Sequence, residues 1–264
     1  LHVSHQLKVG TVGYTSGWAF GNVDSVNITI YGKGGHGSAP QTTVDPIVTA
    51  AQVVLALQTI VSREVDPVAP AVVTVGSIHG GTKNNIIADK AILQLTVRTF
   101  SNAVRQQVLA AIKRKAVAVA LGADAPEPLI TVSKGTPSLF NDPGLSARLR
   151  PVFKDLLGDK NVELSKPTMG GEDFSRYGRA GVPILMYWLG AINQERLKTY
   201  AASGELPPSL HSPLFYVDAD ATLVTCVREA ARKNGWSDAG HVDRLQCVNT
   251  EGKQVTDLSG IEQL

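Results

Sequence analysis

Three of the six histidines stand where an imidazole could do chemistry. His36 lies in GKGGHGSAP, a run of Gly, Ser and Pro that places the ring on a loop whose backbone can approach a ligand closely. Taken alone, the same context also suits an ordinary surface turn histidine. His211 lies in PPSLHSP, between prolines that restrict the backbone, and an imidazole held this way suits a metal or an acid–base role; an isolated histidine there is as readily structural. His2 opens the chain in a strand-like context. Glu172 and Asp173 follow two glycines in TMGGEDF, where adjacent acids mark either a metal or ligand loop or the acid-rich start of a helix. His5, His79 and His241 read as structural or surface residues, with His79 placed beside Gly80 and Gly81.

Other chemistries are excluded by what is missing. The sequence contains no GxSxG, HExxH or GxxxxGK[ST], so a nucleophile elbow, a helical zinc site and a phosphate loop are all set aside. A net charge of +2, from 25 basic and 23 acidic residues without a run of five or more Lys and Arg, argues against nucleic acid as a partner. The apolar stretch from Ile47 to Leu57 falls short of the roughly 20 residues that span a bilayer, so no membrane segment is expected. Two cysteines, Cys226 and Cys247, do not make a disulfide scaffold, and Cys226 is expected as a buried free thiol. Because the chain starts at Leu1 without an initiator Met or a signal pattern, a truncated start is expected.

The elements that must carry these residues follow from hydrophobic period. Ser25 to Tyr31 alternates with period two and reads as a half-buried strand, ended by a Gly-rich turn over Gly32 to Gly37. Val44 to Val61 has helical spacing, with Thr43 as N-cap and Pro46 in the first turn. Ala71 to Ile78 and Lys90 to Phe100 read as antiparallel strands, Asn102 to Leu121 as a helix and Leu129 to Ser133 as a strand. This order is the split βαβ arrangement, a four-stranded antiparallel sheet with two helices on one face. The fold hosts many functions; an RNA-binding version would want aromatic residues on its central strands, and AVVTVGSI has none. Beyond it, a helix from Gly144 to Leu157, a buried strand around Pro183 to Trp188 and a helix from Asp220 to Asn234 alternate as an α/β layer.

In order and spacing, LHVSHQLKVGTVGY, GKGGHGSAPQTTVDPI, VTVGSIHGGTKNNIIAD, LTVRTF, MGGEDFSRY and SLHSP resemble the aminoacylase/carboxypeptidase family of metallopeptidases called M20. Within it, the likeness is to the branch of N-acyl-amino-acid, hippurate and auxin-conjugate amidohydrolases. The resemblance implies a lid (dimerisation) domain over residues 24–133, inserted in an α/β catalytic domain of which residues 1–23 and 134–236 are the C-terminal part, with 237–264 left as a tail of unassigned order. It implies two divalent metal ions, zinc or manganese, bridged by a carboxylate and a water. His2 and His211 match two histidine ligands. His36 matches the lid histidine that in family dimers reaches the partner's site and polarises the scissile carbonyl. Asn85 and Arg98 match lid residues that hold the substrate's carboxylate or carbonyl, and Glu172 falls in the GGEDF loop near the site. The residue types fit: metals activate water and polarise the carbonyl, an imidazole stabilises oxyanion charge, and a guanidinium fork grips a carboxylate.

Two departures accompany the resemblance. The family's GHDGH-like and GEE-like motifs, which carry further ligands, the bridging acid and the catalytic base, precede the position of His2 and do not occur in the sequence. Ala88 stands where the family has Pro, which costs loop rigidity but no chemical group. The expectation is therefore the C-terminal half of an amidohydrolase that cuts N-acyl or N-aroyl amino acids, binding metal weakly by itself. The alternative is an inactive dimerisation and substrate-binding module. Either way a homodimer through the lid is expected, by sheet edges or by the helix near Val44.

Overall fold

The computed structural model describes residues 1–218. The helix expected over 220–234, both cysteines, His241 and the tail 237–264 lie outside the described residues. In chain order the strands are β1 (His2–Lys8), β2 (Val12–Tyr14), β3 (Gly17–Phe20), β4 (Asn22–Tyr31), β5 (Gly35–His36), β6 (Ala71–Gly80), β7 (Ile86–Ile87), β8 (Lys90–Thr99), β9 (Leu129–Lys134), β10 (Leu139–Asn141), β11 (Val162–Leu164) and β12 (Tyr187–Ile192). The helices are α1 (Pro46–Arg63), α2 (Asn102–Gly122), α3 (Pro143–Leu157), α4 (Ser175–Arg179) and α5 (Gln194–Ser203). The fold is mixed α/β, in two compact units: one holds Trp18–Phe140 with Pro167–Val182, the other Leu1–Gly17, Asn141–Lys166 and, of the described residues, 183–218.

The first of these units is built on period-two alternation. In β4, Val26, Ile28 and Ile30 are fully buried while Ser25 and Asn27 face solvent; in β8, Ala91, Leu93, Leu95 and Val97 are buried in the same way. Helices α1 and α2 cover that face with Ala50, Val53, Leu57 and Ile60 and with Val108, Ala111, Ile112 and Ala116. Each such aliphatic side chain contributes about 1.5–3 kcal/mol of burial free energy. The strands pair antiparallel in the order β6-β8-β4-β9, the split βαβ topology. Both β6 and β9 are left as edges. By length and apolar composition α1 could cross a membrane, but its stripe Ala50, Val53, Leu57 and Ile60 is sealed against the sheet, the position of a core helix.

Helix α1 begins at Pro46, and its N-cap is Asp45 rather than Thr43. The Asp45 carboxylate accepts from the amides of Ile47 and Val48 at 2.9 and 3.4 Å, whereas the Thr43 hydroxyl donates back to the Pro40 carbonyl at 2.7 Å. Pro46 at the first helical position has no N–H to leave unpaired, so the acid just before it is the natural cap. At the other end of the sheet a charged pair is buried. Asp24, 1% exposed, accepts two 2.6 Å hydrogen bonds from Arg105 of α2 and one of 2.8 Å from the Asn22 amide. The same bonds hold the Arg105 guanidinium above its ordinary pKa.

The second unit has a four-stranded sheet in the order β1-β12-β2-β11, with β12 parallel to β1 and antiparallel to β2. The strand expected around Pro183 to Trp188 in fact runs Tyr187–Ile192. Ile184, Leu185 and Met186 are buried, but outside any ladder. Their backbone is satisfied by Asn141, whose side chain accepts from Met186 N at 2.6 Å and donates to Met186 O at 2.8 Å, and by the Asp142 amide on Ile184 O at 2.8 Å. Gly190 is obligatory in β12, since a Cβ there would come within 1.8 Å of the Lys8 carbonyl oxygen. Helix α5, absent from the sequence reading, is capped by Asn193 and ended by Gly204 at φ 71°.

Candidate functional site

His36 is positioned by a two-residue ribbon. Gly35–His36 pairs antiparallel with Ile86–Ile87, and the Gly37 amide donates to the Asn85 carbonyl at 2.8 Å. A Cβ on Gly37 would sit 3.1 Å from that carbonyl, so the absence of a side chain is what lets the two strands approach. Asp89 anchors the ribbon to the sheet: its carbonyl accepts from Gly32 N at 2.8 Å and its carboxylate from Gly34 N at 3.0 Å. The ribbon thus brings His36 and Asn85, both exposed, onto one small surface.

The imidazole is also oriented. Ser38 donates its amide to His36 Nδ1 at 3.1 Å, and the Ser38 hydroxyl lies 2.8 Å from the same nitrogen. A backbone N–H can only donate, so Nδ1 accepts, and the neutral ring carries its proton on Nε2. That leaves an Nε2–H on an exposed ring as a donor for a carbonyl oxygen.

Arg98 stands elsewhere. It lies opposite Val23 of β4 and Val72 of β6, with its Nε donating to Thr96 Oγ1 at 2.9 Å on the sheet face away from the helices. Between Asp89, where the ribbon joins, and Arg98 run nine residues of extended strand, about 30 Å. His36 and Asn85 therefore come together, and Arg98 does not join them within the unit. Glu172 caps the turn before α4, its carboxylate accepting from Phe174 N at 3.0 Å. The glycine before it packs tightly: a Cβ on Gly171 would meet Val23 Cγ2 at 2.4 Å and Thr136 Oγ1 at 2.8 Å.

In the other unit, His2 pairs with Trp188 across β1 and β12, and His211 is exposed in a turn closed by the Ser212 amide on Ser209 O at 2.9 Å. His5, on β1, has a buried Nδ1 without a hydrogen-bond partner, and burial pushes its pKa down.

A family model described as the peptidase dimerisation domain of M20 matches residues 20–123. The N-acetyldiaminopimelate deacetylase of Bacillus velezensis is 38% identical over 192 residues, covering 72% of this chain and 50% of the relative. Thermostable carboxypeptidase 2 of Saccharolobus solfataricus is 32% identical over 230 residues, covering 87% and 56%. Among solved structures, a dinuclear metal binding M20 peptidase of Bacillus subtilis aligns with a TM-score of 0.65 at 28% identity, covering 87% of this chain and 54% of that one. The chain belongs to the M20 family. It spans about half the length of the curated relatives it matches.

The two metal ions implied for an M20 catalytic centre find too few ligands here. Among the described residues no three or more His, Cys, Asp or Glu side chains gather as a metal site. His2 and His211 alone do not make a dinuclear centre, in which each ion takes several ligands. What sequence reasoning missed around His36 are its supports, Gly37, Ser38 and Asp89. The visible signal was GHGS, a hydroxyl two residues beyond a turn histidine.

Proposed function

We propose that this chain supplies the lid, residues 24–133, and flanking catalytic-domain segments, residues 1–23 and 134–236, of a metal-dependent amidohydrolase acting on N-acyl or N-aroyl amino acids as a homodimer. One observation carries the reading: within one lid, the ribbon that holds His36 and Asn85 joins the sheet at Asp89, about 30 Å of strand from Arg98. Such a pair serves one small substrate only if two copies contribute. Arg98 of one protomer grips the carboxylate, and His36 and Asn85 of the other address the scissile carbonyl. The Nε2–H of His36 meets the oxygen as negative charge grows on it, an effect typically worth about 10²–10³ in rate.

The outer face of α1 supports a dimer, since Val48 and Leu55 are 54% and 70% exposed beside the free edge β6. The deacetylase activity named for the Bacillus velezensis relative supports an N-acyl amino acid as substrate, and the dinuclear description of the Bacillus subtilis neighbour supports divalent metal, zinc or manganese. On this reading His2 and His211 each give one ligand, Glu172 borders the substrate, and the remaining ligands and the general base come from outside the described residues. A second reading, a dimerisation and substrate-gripping module without turnover, is favoured by the lack of a three-ligand cluster among those residues.

Complementation separates a shared site from a site within one protomer. Binding of an N-acyl amino acid should be lost in His36→Ala and in Arg98→Ala. Random re-pairing of the two variants makes half of the dimers mixed, each with one intact site, so binding should return to about a quarter of the sites. Return to none would refute the shared site. Metal content with turnover of an N-acyl amino acid panel then decides between enzyme and module.

A further inference from the structure

A cavity of about 140 Å³ opens where β9 leaves the sheet and the segment leading to α4 packs against it, well above the ~15 Å³ that one water needs by the same measure. Arg98, His36 and Asn85 do not line it. Its walls carry Arg105, Lys134 and Arg179, and the sole acid among them is Asp24. That acid is already saturated, with two hydrogen bonds from Arg105 and one from Asn22. Lys134 and Arg179 thus add positive charge with no carboxylate in the cavity to neutralise it. The Arg179 guanidinium makes one 3.2 Å hydrogen bond, to the Ser138 hydroxyl.

We propose that this cavity is a binding site for a small oxyanion, inorganic phosphate or the carboxylate of a small organic acid. The donors suit one: a lysine point charge and a planar guanidinium that takes two oxygens side by side. The wall of Phe100, 8% exposed, closes one side against water and strengthens these interactions. A bound anion would bridge Lys134 at the end of β9 to Arg179 at the end of α4, tying the segment behind the GGEDF loop to the root of the sheet.

The test is a titration of the whole 264-residue chain with inorganic phosphate, and in parallel with acetate, followed by amide shifts of Gly135, Thr136 and Arg179. Saturable binding of either anion is expected, with the stronger one naming the source. Lys134→Gln with Arg179→Gln should weaken it by at least about tenfold, and each single change by several-fold. Circular dichroism confirms that each variant is folded; if the double variant is not, the single variants decide. Absence of saturable binding, or affinity unchanged in the folded variants, would overturn the proposal.

Discussion

Replacing Arg105 by Met should be the most damaging single change at the sheet root, and its cost can be worked from the geometry. Asp24 is 1% exposed, and Arg105 supplies two of its three hydrogen bonds, each 2.6 Å long. Without the guanidinium a desolvated carboxylate is left with only the Asn22 amide. Breaking a buried pair from one side costs about 3–5 kcal/mol. At about 2–4 °C per kcal/mol for a chain of this size, the melting temperature should fall by roughly 6–20 °C. The double variant Asp24→Asn with Arg105→Met removes both charges and keeps an acceptor for Asn22, so most of the loss should be recovered. Urea unfolding followed by Trp18 fluorescence, with Trp188 and Trp236 changed to Phe, reports on the unit that contains the pair and avoids mixing two transitions. A loss under about 1 kcal/mol in Arg105→Met, or a double variant no better than the single one, would mean that solvent reaches Asp24 and that the reasoning from burial is wrong.

Three further outcomes are expected. Gly37→Ala forces a Cβ to 3.1 Å from the Asn85 carbonyl and should spread the ribbon, weakening N-acyl amino acid binding while leaving the melting temperature within a few degrees. Calorimetric titration beside a thermal melt checks both arms. Burial lowers the folded pKa of His5 below 6.5, so the unfolded chain binds the extra proton first; stability is full above that value and declines as pH falls through it. His5→Phe should flatten that part of a stability-versus-pH curve. Leu55→Glu puts a charge in the middle of the exposed α1 stripe and should shift the chain toward monomer in light scattering, with unchanged helicity.

What was legible in the sequence was local. The alternation of β4 and β8 marks a buried and an open face residue by residue, so the split βαβ order could be read from pattern alone. Where burial is achieved without a ladder, pattern misleads: Ile184 to Met186 look like a strand, but Asn141 bonds the Met186 backbone and the Asp142 amide bonds Ile184 O. Helix α5 buries none of its residues, so it has no apolar stripe to read, and only its Asn193 and Gly204 ends announced it. At the candidate site the residue types were visible in the motifs. Their spacing in three dimensions was not. Joining His36 to Asn85 takes a pairing of two dipeptides about fifty residues apart, too short for any period, and the distance to Arg98 appears only once β8 is laid out straight.

The sheet order β1-β12-β2-β11 has a consequence for how the chain is made. On a ribosome, β1 and β2 emerge long before their neighbours. The lid sheet, contained within residues 22–134, can close as soon as β9 is out, whereas β1 must wait for β12, 179 positions after Lys8. At ~5–20 residues per second that delay is on the order of 10–40 s. For the last 53 of those positions, from Lys134 to Tyr187, β1 and β2 stand without these partners beside a finished lid. Synthesis thus has a window in which residues 2–14 are a sticky edge, and slowed translation past residue 134 should raise aggregation more than slowed translation before it.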